Sequence, residues 1–187
     1  MRYLFLSVVL VVGLMACKQS VKGTNGVTYK SATDYNDYIV NRQTTLMKRV
    51  VEFGKVADAN LDSAQGLLTK SVKEVETMIG ELKGMPPYKG DSSLRDAAIA
   101  SFSFYKRVFG KDYAEILDIR KKGAENITEE DVTRANSIVT NISKEEEGLD
   151  KNFQSAQREY ASKNNMKLID NKVQKDLEKE LDKMNKE

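Results

Sequence analysis

Asn36, Ile39 and Gln43 follow one another at steps of three and four residues, with Arg42 beside the last. On a helix this spacing puts two carboxamides and a guanidinium on one flank, where they could form a polar notch beside an apolar core. The plainer role is a pair of amides that meet inside a bundle and set its register, or a solvated flank. Tyr88, Tyr105 and Tyr113 could line an apolar pocket with hydroxyl handles, or sit half-buried with the hydroxyl in water. Glu145, Glu146, Glu147 and Asp150 could collect a hard cation, but successive helix residues point about 100° apart, so only Glu146 and Asp150 share a face. A solvated acidic face is the expectation there. Asp58, Asn60 and Asp62 alternate like the oxygens of a calcium loop, yet the sharp-turn glycine and the closing bidentate glutamate are missing.

What is absent narrows the chemistry further. There is no histidine and one cysteine, which removes Ser–His and Cys–His triads, histidine-bearing zinc sites, an intrachain disulfide and a Cys-x-x-Cys pair. No isolated Asp or Glu sits in an apolar run that would drive its pKa away from a partner's. No catalytic residue, metal or cofactor is expected. The candidate contacts for a ligand or partner are Asn36, Gln43, Tyr88 and Tyr105.

The elements that must position these residues are helical. A chain of 187 residues is enough for one core. Apolar residues at three- and four-residue steps predict helices over about 34–56 and 61–83, with a break at Asp58-Ala59-Asn60, whose side chains can cap. Gly84 to Asp91 holds both prolines and two glycines and reads as a loop. A third helix starts at Asp91 or Ser92 and runs to about Lys122, with Gly123 suited to the residue just past its end. The fourth opens with Thr128 as N-cap, acids in its first turn and Ile127 opposite Val132. Its apolar stripe runs Val132, Ala135, Val139, Ile142, Leu149, Phe153, Ala156 and Tyr160. Residues 166–187 are strongly charged with a thin stripe of Leu177, Leu181 and Met184, a helical extension or frayed end. Nothing reads as a strand. The fold class expected is all-α, an antiparallel up-down-up-down four-helix bundle over 34–165.

The N-terminus supplies an address. Met1-Arg2-Tyr3 is a short positive start, and Leu4 to Leu14 is an apolar stretch too short to span a bilayer as a helix. Leu14-Met15-Ala16-Cys17 then resembles the lipobox of bacterial lipoproteins. The resemblance implies a signal peptide over 1–16, a lipid on the Cys17 thiol and Cys17 as first residue of the mature chain. Two or more acyl chains hold almost permanently. By the same resemblance, Lys18 in place of an aspartate favours the outer membrane. Residues 17–33 are polar with Gly23 and Gly26, the composition of a flexible tether. There are 30 Lys and Arg against 28 Asp and Glu; losing Arg2 with the leader leaves a side-chain net of +1, so no overall field points to nucleic acid.

The strings Tyr35-Asn36-Asp37-Tyr38-Ile39-Val40, Pro87-Tyr88-Lys89-Gly90-Asp91, Leu94-Arg95-Asp96-Ala97-Ala98, Phe104-Tyr105-Lys106 and Ile127-Thr128-Glu129-Glu130-Asp131 resemble an uncharacterised family of helical envelope lipoproteins of double-membrane bacteria. That resemblance covers about residues 34–164 and implies a helical bundle in the periplasm or at the cell surface, with no activity to carry over. The expected role is a binding or structural module, not an enzyme. It would be held at the membrane through Cys17 and would meet an envelope protein or glycan through a bundle face or the 84–91 loop. The alternative is a small-molecule or lipid carrier, its ligand between helices near Tyr105 and Phe109. Replacing Cys17 with Ser should leave an unlipidated precursor; palmitate still incorporated by that variant would refute the lipobox.

Overall fold

The computed structural model describes residues 9–13 and 20–184, so Cys17 and the rest of the lipobox lie outside the described residues. The chain is mostly helical. Helix α1 (Ala32–Ala59) is capped by Ser31, whose Oγ accepts the Asp34 N–H at 3.0 Å. It ends at Asn60, which leaves helical geometry (φ −159°) and accepts the Ser63 N–H on its side chain at 2.8 Å, starting α2 (Leu61–Lys83). The break expected near 58–60 is therefore a cap shared by two helices, made without proline or glycine.

The 84–91 loop leads to α3 (Ser93–Arg107), a π-turn (Val108–Asp112) and α4 (Tyr113–Lys121). This is the single third helix of the sequence reading, widened in the middle. Gly110 lies in the wide turn, and a Cβ there would come within 3.3 Å of Val72 on α2, so the residue lets the two helices approach closely. A short 3-10 turn (Ala124–Asn126) follows Gly123, whose φ of +80° suits a residue without Cβ. Helix α5 (Glu129–Lys163) opens with a full capping box between Thr128 and Asp131. Helix α1 packs on α2, α2 on α3, and α3 on α5. Among the described residues no helix is long and apolar enough to cross a membrane.

Three expectations need correcting. Short strands exist: β1 (Val9–Gly13), β2 (Val21–Lys22), β3 (Thr28–Tyr29) and β4 (Met166–Asp170). Strand β1 lies inside the apolar N-terminal stretch, packs against α1 and pairs antiparallel with β4, Val9 opposite Asp170 and Gly13 opposite Met166. The tail 166–187 is accordingly not an extension of α5. Asn165 takes a left-handed conformation (φ 53°) that stops the helix, β4 runs back, and α6 (Lys172–Met184) packs on α1 with Lys55 bonded to Glu180 at 2.5 Å.

The third correction concerns the tether. Residues 20–31 form a docked hairpin. Strand β2 pairs with β3, and the turn between them is nailed to the end of α2: the Thr24 N–H donates to Gly84 O at 2.9 Å, and Asn25 Nδ2 donates to Glu81 O at 2.9 Å and to Tyr29 Oη at 2.6 Å. Tyr29 is buried, edge-on to both Tyr35 and Tyr38 with ring centroids 5.2 Å away. A Cβ on Gly23 would fall 2.6 Å from Gly84 O, so the close approach requires glycine. Composition suggested a spacer because one tyrosine and one carboxamide carry the docking. Asn25→Ala should cost about 1–3 kcal/mol in urea unfolding, because it strips the half-buried Glu81 carbonyl of its side-chain donor, and should speed amide exchange across 20–31.

Candidate functional site

The α1–α5 interface is polar at its centre. Asn36 and Gln157 are both fully buried, and Gln157 Nε2 donates to Asn36 Oδ1 at 2.9 Å. One turn away Tyr160 Oη donates to Ala32 O at 3.1 Å. Four residues forward on α1 thus match three back on α5.

Gln43 is fully buried, and neither its amide nitrogen nor its amide oxygen has a hydrogen-bond partner. Glu146 is 2% exposed; one carboxyl oxygen accepts from the Tyr105 hydroxyl on α3, and the other is unpartnered. Burial pushes the Glu146 carboxyl up to about 8, the Tyr105 bond opposes this, and the Asp150 charge adds to it. Near neutral pH Glu146 therefore holds its proton, a neutral acid able to donate. Burial and the adjoining carboxyl raise the Tyr105 hydroxyl well above its ordinary range. Asp150, one turn along α5, is buried and accepts from Gln154 Nε2 at 2.7 Å.

The aromatic wall comes from the third helical run. Tyr105 lies just before the π-turn and Tyr113 just after it, with Phe109 between them at ring distances of 6.3 and 6.0 Å; Tyr113 stacks on Phe53 of α1 at 4.7 Å. A π-turn re-aims the side chains that follow it and recurs at functional sites. Among the described residues no three His, Cys, Asp or Glu side chains gather to hold a metal ion. The interior holds a Gln43 carboxamide with its donors and acceptor unused and, bonded to Tyr105, a Glu146 carboxyl with one oxygen unused. Outside it, open polar-walled grooves of about 370 Å³ and about 670 Å³ run between α1 and α2 and along α3 and α5.

The expected candidates divide. Asn36, Gln43 and Tyr105 belong to helices that flank the seam, and Asn36 plays the register-setting role. Arg42 leaves the notch: its Nε bonds Glu81 at 2.6 Å and its guanidinium covers the Tyr38 ring at 3.3 Å. Tyr88 belongs elsewhere, buried at the loop end with its ring 5.4 Å from Tyr35 and 5.8 Å from Tyr160.

The solvated acidic face is corrected as well. Glu146 and Asp150 point inward, and Val132, expected to start the buried stripe, is 49% exposed. The buried line of α5 is Ile138, Ile142, Glu146, Asp150, Phe153, Gln157 and Tyr160. Its steps of three and four are regular once polar residues are admitted to it, the one signal by which Glu146 and Gln157 could have been found. Compared with known proteins, the chain matches no family model, no curated protein sequence and no solved structure.

Because the folded-state pKa of Glu146 lies above its ordinary 4.5, the folded state holds a proton that the unfolded chain releases. Its contribution is intact below about pH 4.5 and is lost as pH rises toward 8. Thermal unfolding should therefore show stability falling across that window, by on the order of a few kcal/mol. Glu146→Gln, which is neutral throughout, should flatten the slope; an unchanged slope would show that other groups set it.

Proposed function

We propose that the protein is a lipid-anchored, extracytoplasmic binding module of a bacterial envelope. The observation that carries this reading is the placement of the only thiol: Cys17 closes an apolar stretch and stands four residues before the first docked segment of the body. Acylation there would hold the protein at a membrane without a spanning helix, and Lys18 favours the outer one. In this reading β1 belongs to the precursor. Removal of residues 1–16 takes it away and leaves Met166–Asp170, which packs on α5, without its strand partner.

The body is an antiparallel up-down-up-down four-helix bundle of α1, α2, the α3–α4 run and α5. Supporting this, Arg42 bonds Glu81 while Arg49 bonds Glu74, so α2 retreats as α1 advances. Lys106 pairs with Glu76 between α2 and α3, and Arg107 with Glu145 between α3 and α5. An envelope protein or a glycan is the partner class that fits such a body, without nucleic acid, and the protein acts by contact and not by catalysis.

A second reading rests on the unpartnered Gln43 and Glu146: a carrier that takes a small polar or amphipathic molecule between α1 and α5, beside Tyr105 and Phe109. Native mass spectrometry of the purified protein would reveal it as a bound mass lost in Gln43→Leu. For the anchored module, fractionation of the native cells should place the protein in the membrane pellet, released by detergent and not by high salt. Recovery in the cytosol would overturn it.

A further inference from the structure

The docked hairpin converts an anchor into an orientation. From Cys17 to Val21 is four residues, which reach about 14 Å when fully extended. From Val21 onward the chain is bound to the body, with Asn25 and Thr24 held by Glu81 O and Gly84 O at the end of α2. A lipid on Cys17 therefore pulls one particular end of the molecule to the bilayer. Three contacts define that end: Tyr35 Oη donates to Pro86 O, Tyr160 Oη to Ala32 O, and Lys163 bonds Asp91, which gathers the start of α1, the 84–91 loop and the end of α5 around the hairpin.

The charge on this end is uneven. Lys22, Lys30, Lys83 and Lys89 are all exposed and form no ion pair among the described residues; the Lys89 ammonium lies 5.9 Å from the Tyr88 ring. Most neighbouring acids are engaged, Asp91 with Lys163 at 2.7 Å, Asp96 with Arg95 at 2.8 Å and Glu81 with Arg42 at 2.6 Å. Asp37 is approached by its neighbour's Asn36 amide, and Asp34 accepts the Lys30 backbone N–H. Four unpaired ammonium groups thus surround the point where the lipid would enter. The near-zero net charge of the whole chain hides this.

We propose that this end is a membrane-docking face that lies on anionic phospholipid headgroups, with Lys22, Lys30, Lys83 and Lys89 as its contacts. The proposal rests on the anchored reading and adds to it: the body sits against the leaflet in a fixed attitude, with the Asp58–Asp62 end of the helices turned away. Each lysine within a Debye length of a charged leaflet adds attraction, and salt screens it.

The test uses the native acylated protein in vesicles of phosphatidylcholine with about a third phosphatidylglycerol, and maps lysine modification by an amine-reactive reagent. Lys70 on α2, roughly 20 Å from Lys83 along the helix, and Lys111 serve as exposed references. Lys22, Lys30, Lys83 and Lys89 should react about fivefold or more slowly than these on anionic vesicles, lose that protection in about 0.5 M salt, and show less of it on phosphatidylcholine alone. Lys83→Gln with Lys89→Gln should weaken the protection of Lys22 and Lys30 while leaving the circular dichroism spectrum unchanged. Uniform labelling of a protein that floats with the vesicles and carries an acyl adduct on Cys17 would reject the face alone. Failure to float, with Cys17 unmodified, would reject the anchor and the face with it.

Discussion

The hydrogen bond from Gln157 to Asn36 has no competitor from solvent, since both side chains are fully buried, and it admits one register of α5 against α1. Apolar surfaces slide at small cost, because burial is non-directional. A pair of amides does not, because a shift of one residue breaks their mutual bond inside the core, at about 1–3 kcal/mol for a buried group left unmatched. With Tyr160 bonded to Ala32 O one turn away, the pair makes the start of α1 and the end of α5 a single end of the molecule. That end carries the 84–91 loop, the cluster of Tyr35, Tyr88 and Tyr160, and the N-terminal hairpin.

The hairpin depends on the same end. Tyr29 can bury its ring only because Tyr35 and Tyr38 present theirs on the first turns of α1, and Asn25 reaches a free carbonyl only because α2 finishes beside them. Helix C-terminal carbonyls lack intrahelical donors; here a carboxamide from a preceding segment supplies one. Local chain order then has a functional consequence. In the anchored reading proposed above, this docked segment would leave only a short leash, and the orientation of the molecule would follow from where the leash begins.

Helix identity and the main breaks were legible in the sequence because each has a local cause. Asn60 and Thr128 cap their helices with side chains that act within three residues, and the 84–91 loop follows from its two prolines. What depends on distant partners was not legible. Asn25 reads as a loop residue until Glu81 O is beside it, and Met166–Asp170 reads as part of a charged tail until Asn165 turns the chain and β1 lies alongside. The π-turn left no local mark beyond Gly110, whose role is set by Val72 across the helix contact. Of the candidate contacts, Asn36 and Gln43 were found from spacing because amides on an apolar flank stand out. Glu146 was misread, since three consecutive glutamates suggest solvent and only the phase of α5 distinguishes the middle one.

Gln43 and Glu146 then pose a question of energy that packing alone does not answer. Removing an amide from water without replacing its hydrogen bonds costs about 2–7 kcal/mol, a large share of the stability of a domain this size. An aliphatic side chain of similar volume at position 43 would avoid that cost. Register is already provided by Asn36 and Gln157, so Gln43 is not needed for it. The buried carboxyl compounds the point: it remains neutral at the expense of its ordinary pKa, with one oxygen bonded to Tyr105 and the other idle. Such unused donors and acceptors can be met by water or by a molecule that enters. Water would meet them with little selectivity. A ligand that offers both a donor and an acceptor, with an apolar body to lie against Tyr105, Phe109 and Tyr113, would meet them and gain from the rings as well. The unpaired groups of Gln43 and Glu146 are the observation on which the carrier reading proposed above rests.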